Sequence, residues 1–181
     1  MAQEALRAGK RVQASVQSAF GCGFEGPVPD EKVFNIIEKY LAAGIKNISL
    51  ADTAGHAHPL QVEKLYTKIR EMDASVELAC HFHNTYGLGL ANCYAAARSG
   101  VKYFESAFGG LGGCPFTKLP AGNVSTEDLV HSMQRMGLCL DMNLDRLIEL
   151  AKDASQFFAK ELPGFVMKSG SIVNFKPKEQ K

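Results

Sequence analysis

The chain has 181 residues, 46% of them apolar, so it can bury one sizeable core, or form a large piece of a bigger domain, without disulfide staples. Twenty basic against nineteen acidic residues leave a formal charge of +1, which argues against nucleic acid and an anionic membrane as partners and makes a small molecule the expected one. Five cysteines, odd in number and without a C-x-x-C pair, favour a reducing compartment; with no eighteen-residue apolar run and no signal-peptide hydrophobic region, a soluble cytoplasmic chain is expected, or a mitochondrial-matrix one if the parent is eukaryotic.

In chain order, residues 1–9 read as the last turns of a helix closed by Gly9. Val12 to Ser18 alternates, predicting a strand with Val12, Ala14 and Val16 on a packed face and Gln13, Ser15 and Gln17 on a polar one. The Gly/Pro-rich stretch 21–29 is a loop, after which Val33, Ile36, Ile37, Tyr40 and Leu41 mark a helix face that ends at Gly44. Ile45 to Ala51 is the second strand, with Asp52-Thr53-Ala54-Gly55 as the loop at its carboxyl end. Pro59 suits the first position of a helix whose buried stripe is Val62, Leu65, Tyr66 and Ile69. The strand holding His81 and His83 follows, then a helix from Tyr86 to Ser99 with Leu90, Ala91, Tyr94 and Ala95 inward. Val101 to Phe108 is a fourth strand that runs into the glycine loop 109–115. Ser125 with Asp128 resembles a capping box opening a helix with Leu129, Val130, Met133 and Met136 on its core face. A last helix, Leu144 to Lys160, packs Leu147, Ile148, Ala151, Ala154 and Phe158, and Leu162-Pro163-Gly164 stops it. Residues 1–165 are expected to form the folded unit and 166–181 a flexible tail. Four strand-then-helix units in succession predict an α/β fold with parallel strands and right-handed crossovers.

In a strand, side chains alternate between faces, so His81 and His83 project together while Cys80 and Phe82 project the other way. Two imidazoles at this spacing suit neighbouring positions on one divalent cation; two histidines satisfied within a strand fit the spacing as well. In parallel α/β folds chemistry gathers at the carboxyl ends of strands. Those ends carry Gln17 and Cys22; Asp52 and Thr53; His81, His83 and Asn84; and Glu105, Cys114 and Asn123. So many polar groups require partners or a ligand, which points to a polar pocket. Taken singly, Cys114 also fits an inert buried thiol, Asn123 a turn residue, and Glu105 a carboxylate satisfied by polar neighbours. Cys22, Cys80, Cys93 and Cys139 read as structural, and His56 and His58 as solvent-facing.

Three stretches, His81-Phe82-His83-Asn84-Thr85-Tyr86-Gly87, Gly110-Leu111-Gly112-Gly113-Cys114-Pro115 and Ala121 to Leu129, together resemble the carboxyl-terminal half of the 3-hydroxy-3-methylglutaryl-CoA lyase family. The Gly21-Cys22 and Asp52-Thr53 loops resemble it too. The resemblance, over about residues 5 to 165, implies half of a TIM barrel and a metal-assisted retro-aldol cleavage of an acyl-CoA substrate to acetyl-CoA and acetoacetate. It further implies His81, His83 and Asn123 as ligands of Mg²⁺ or Mn²⁺, Cys114 as a catalytic thiol on a mobile loop, and Asp52 as a catalytic group near the substrate hydroxyl. Two nitrogens with oxygen ligands suit a roughly octahedral shell that leaves positions for substrate oxygens.

A TIM barrel needs eight strands and about 250 residues, and the Arg-Asp pair that the family carries on its first strand has no counterpart here. The resemblance therefore implies a half barrel that binds metal weakly alone and associates with an amino-terminal half or with a second copy of itself. Two other readings stay open. One is a Claisen-condensing synthase of the isopropylmalate or citramalate kind, which shares the histidine strand but is not expected to carry Gly-Gly-Cys-Pro; the other is a non-catalytic half-barrel subunit.

Overall fold

The computed structural model of the protein describes residues 1–113 and 122–172. Cys114, with the rest of the stretch to residue 121, lies outside the described residues, so the thiol expected to act in catalysis has no geometry to report.

After a short helix α1 (Ala2–Arg7), four strands alternate with three helices: β1 (Gln13–Val16), α2 (Asp30–Ala42), β2 (Asn47–Asp52), α3 (Pro59–Met72), β3 (Glu77–Phe82), α4 (Gly89–Arg98) and β4 (Tyr103–Glu105). All strand pairs are parallel, and the sheet order β1-β2-β3-β4 follows the chain. With no reversal of strand order, right-handed crossovers leave every connecting helix on one face, as in a β/α barrel; a doubly wound sheet would reverse and cover both faces.

The covered face is apolar. Val16, Ile48, Leu50, Leu78, Cys80 and Phe82 pack against Val33 and Ile37 of α2, Val62, Leu65, Tyr66 and Ile69 of α3, and Cys93 and Ala96 of α4. The Tyr66 hydroxyl, buried in this layer, donates to the Ala79 carbonyl at 2.8 Å, which satisfies its polar end. The opposite face carries Gln13, Ser15, Ser49, His81 and Glu105. There the amide of Gln13 on β1 donates to the carboxylate of Glu105 on β4 at 3.0 Å. In a flat sheet those strands would stand about 14 Å apart, so the contact means that the sheet is rolled with its polar face inside. The fold is α/β, a sector of a β/α barrel.

Three further helices close the described chain: α5 (Thr126–Arg135), α6 (Leu144–Phe157) and α7 (Val166–Ser169). Ser125 caps α5 by accepting from the Asp128 N–H, as the capping-box spacing predicts. The first residues of the expected tail form α7 with Val166 and Met167 buried, because the Asp128 carboxylate accepts the N–H groups of Phe165 and Val166; residues 173–181 of that tail lie outside the described residues. Helix α4 begins at Gly89 rather than Tyr86, since the Asn84 side chain takes the Gly89 N–H and holds the preceding residues as a loop. In α4 Asn92, Cys93, Ala95 and Ala96 are buried while Ala91 and Tyr94, expected inward, are exposed. Met136 and Phe158, also expected inward, are exposed past the ends of α5 and α6. The regular part of the fourth strand is shorter than Val101 to Phe108; beyond Glu105 it continues as a single bridge between Ala107 and Ser125.

Candidate metal centre

His81 lies in β3 and His83 just beyond it, two residues apart on the inner face, with ring centroids separated by 5.1 Å. The intervening Phe82 points into the apolar layer and packs on Phe20. This is the outcome that period-two alternation dictates. The segment that brings Asn123 alongside is tied down by backbone hydrogen bonds. Val124 N–H donates to Phe82 O at 3.1 Å, Asn84 N–H to Gly122 O at 3.1 Å, and Ala107 N–H to Val124 O at 3.1 Å. Asn123 thereby forms an antiparallel bridge directly with His83.

The Asn123 amide is oriented by its other end. Its Nδ2 donates to the Leu111 carbonyl at 2.7 Å, leaving Oδ1 buried with no hydrogen-bond partner. An orphaned buried oxygen is costly unless a ligand takes it, and a hard cation does so. Close approach of the glycine loop makes this possible: a Cβ on Gly112 would sit 2.6 Å from Asn123 Nδ2, and one on Gly122 would sit 1.5 Å from the Gly110 carbonyl oxygen. Glu127, wholly buried, accepts the Gly109 N–H at 3.0 Å and anchors the start of the same loop.

The electrostatics suit neutral ligands. Burial, and then the neighbouring His81, lower the pKa of His83, which keeps its imidazole uncharged with a lone pair available. His81 Nδ1 lies 3.2 Å from Glu105 Oε2. Among the described residues no three His, Cys, Asp or Glu side chains form a metal-binding group, so a cation here would have two imidazoles and the amide oxygen of Asn123 as its candidate donors. That donor set fits Mg²⁺ or Mn²⁺ with the remaining positions left to water and substrate oxygens.

Asp52 is not brought to the histidines. It pairs with Phe82, while Ala51 pairs with His81, so its carboxylate lies on the helix-facing side of the sheet. There it accepts the N–H groups of His56 at 2.8 Å and Ala57 at 3.2 Å, and burial pushes its pKa up to about 6. In this position Asp52 organises the 53–57 loop. Thr53 accepts the Ser18 N–H at 3.0 Å, Cys22 bridges Gly26 within its own loop, and Asn84 starts α4, so these three hold loops in place. Reading of the sequence missed Ser49 and Gln13 as partners of Glu105, and Glu127 as the loop anchor. The alternation that turns Gln13 and Ser49 inward could have found the first two. His56 and His58 are exposed, as expected, and line a separate surface groove of about 600 Å³ with Phe20, Pro27 and Lys64.

Among the described residues no helix is long and apolar enough to cross a membrane. The chain is 36% identical over 160 residues to a hydroxymethylglutaryl-CoA lyase of Bacillus subtilis, covering 88% of this chain and 54% of that one. It is 38% identical over 166 residues to an (R)-citramalyl-CoA lyase of Chloroflexus aurantiacus, covering 92% and 52%. An HMG-CoA lyase from Acinetobacter baumannii, solved with coenzyme A and 3-methylmalate, superposes with a TM-score of 0.89 at 38% identity, covering 98% of this chain and 58% of that one. The chain thus spans about half the length of the relatives it matches, and its four strands correspond to about half of their TIM barrel. The family model described as HMGL-like matches residues 1–153, and the chain belongs to that family.

Proposed function

We propose that this chain carries the metal-binding half of a carbon–carbon lyase acting on 3-hydroxy-3-methylglutaryl-CoA, giving acetyl-CoA and acetoacetate. The observation that carries the reading is the buried, partnerless Oδ1 of Asn123 beside two imidazoles that share one face. In this reading His81, His83 and Asn123 hold Mg²⁺ or Mn²⁺. The bound ion supplies Lewis acidity toward the substrate's oxygens.

The chain's own residues do the rest of the work assigned to this half. Neutral His83 and the Asn123 amide, paired across an antiparallel bridge, are the donors this half would offer, while Leu111 fixes the direction of that amide. The reaction itself removes the 3-hydroxyl proton, breaks the bond between C2 and C3, and returns a proton to the enolate of acetyl-CoA. Cys114, in Gly-Gly-Cys-Pro, is proposed to move a proton in that sequence. Similarity to the citramalyl-CoA lyase supports a second reading within the same chemistry, in which another 3-hydroxy acyl-CoA is cleaved.

The test is cleavage of both thioesters with and without Mg²⁺ or Mn²⁺, by the chain alone and after mixing with the amino-terminal half of a relative. Activity in the mixture, lost on His81→Ala or Cys114→Ala, is the expected result. Condensation of acetyl-CoA with a 2-oxoacid would instead favour the synthase reading. A mixture that assembles yet turns over nothing would favour a non-catalytic subunit.

A further inference from the structure

We infer that Glu105 is a positioning residue: it holds the neutral His81 ring as the Nδ1–H tautomer and so reserves Nε2 for the cation. The inference rests on the metal-site reading above. Glu105 lies on β4 in register with His81 on β3, and its Oε2 is 3.2 Å from His81 Nδ1. Its other oxygen is already engaged. Oε1 receives the Gln13 amide from β1 at 3.0 Å and the Ser49 hydroxyl from β2 at 3.3 Å. The carboxylate is thus pinned by the two far strands with its free oxygen turned to the imidazole.

An ionised carboxylate only accepts hydrogen bonds. With the ring proton on Nδ1, the contact with Oε2 is attractive; with it on Nε2, a nitrogen lone pair would face an anionic oxygen at the same distance. The field therefore draws the proton to Nδ1. That leaves the Nε2 lone pair free, and a metal-ligating imidazole whose second nitrogen donates to a carboxylate is both oriented and made more basic. Since Gln13, Ser49, His81 and Glu105 come from four different strands, the arrangement also ties the ligand's orientation to the roll of the sheet.

Glu105→Gln gives the sharpest test. Its Oε1 still takes the Gln13 and Ser49 donors, so its new NH₂ is turned toward His81 Nδ1, converting an acceptor into a donor at nearly constant volume. Two readouts on the full chain are needed. Long-range ¹H–¹⁵N spectra of the metal-free chain report the His81 tautomer, and Mn²⁺ titration followed by EPR reports affinity. Expected are an Nδ1–H ring in the parent, an Nε2–H ring in Glu105→Gln, and an affinity loss of about ten- to a hundredfold. Glu105→Ala should lose the Nδ1 preference as well, with a similar fall in affinity.

An Nε2–H ring in the parent would overturn the inference, and so would a tautomer that ignores both substitutions. Affinity that falls while the tautomer stays fixed would also overturn it, by making Glu105 a ligand in its own right. Failure of the underlying reading looks different: Mn²⁺ binding would be absent, or unchanged in His81→Ala, whatever the tautomer does.

Discussion

At Asp52, a carboxylate with no exposed surface faces backbone donors rather than a cation or a counter-charge. Burial raises its pKa from the usual 3.8 to about 6, against the pull of the N–H groups of Ala57, His56 and Gly55. Between those two values the folded chain holds a proton that the unfolded chain has released. Stability should therefore fall as pH rises through this window and level off above it, the Asp52 contribution amounting to about 2–3 kcal/mol. Urea unfolding of the parent and of Asp52→Asn at several pH values from 4 to 7 checks this. The parent should lose stability relative to the variant as pH rises; parallel profiles would show that Asp52 does not titrate in this window. At the candidate centre, His83→Ala should remove one ligand and abolish saturable Mn²⁺ binding while leaving the fold intact, because the ring lies on the polar inner face and not in the apolar layer. Mn²⁺ EPR and far-UV circular dichroism together test both halves of that statement.

Among the elements, α5 organises the carboxyl-terminal part of the described chain through two consecutive acidic side chains. Glu127 takes the N–H of Gly109, and Asp128 takes those of Phe165 and Val166. Asp128→Ala should leave those two amides without their acceptor, cost about 1.5–3 kcal/mol, and speed hydrogen exchange at 165–166 ahead of the rest of the chain. Ser125→Ala, which removes only the cap, should cost about 1 kcal/mol without releasing α7. The contrast marks what the sequence could disclose. The cap is visible because its partners are three residues apart, and the α3 stripe is visible because helical period alone places Val62, Leu65, Tyr66 and Ile69. The histidine pair was equally legible, through strand alternation. The anchoring of α7 was not, since Asp128 reaches 37 residues ahead to Phe165 and nothing local encodes that distance. The inward face of α4 was misread because it includes a polar residue, Asn92, whose buried amide is satisfied by the Ala57 carbonyl 35 residues away.

For the molecule as a whole, the decisive feature is a sheet that, among the described residues, rolls without closing. Among the described residues β1 and β4 each pair on one side only, and Gln13, Gln17, Tyr103 and Glu105 on or beside them are exposed. Open parallel edges are templates for pairing, and a polar inner face gives them no apolar cover. Because all four strands run the same way, a two-fold axis along the barrel would bring β4 of one copy beside β1 of another in parallel, the arrangement a closed barrel uses. The chain on its own should therefore self-associate, its weight-average mass by sedimentation rising above 19.6 kDa with concentration. Adding the amino-terminal half of a relative should compete, because that half offers the same edges a matched partner and supplies the remaining strands. A mass that stays monomeric at every concentration, and is unmoved by the added half, would mean that these edges are shielded, and the half-barrel account of how this chain assembles would have to be given up.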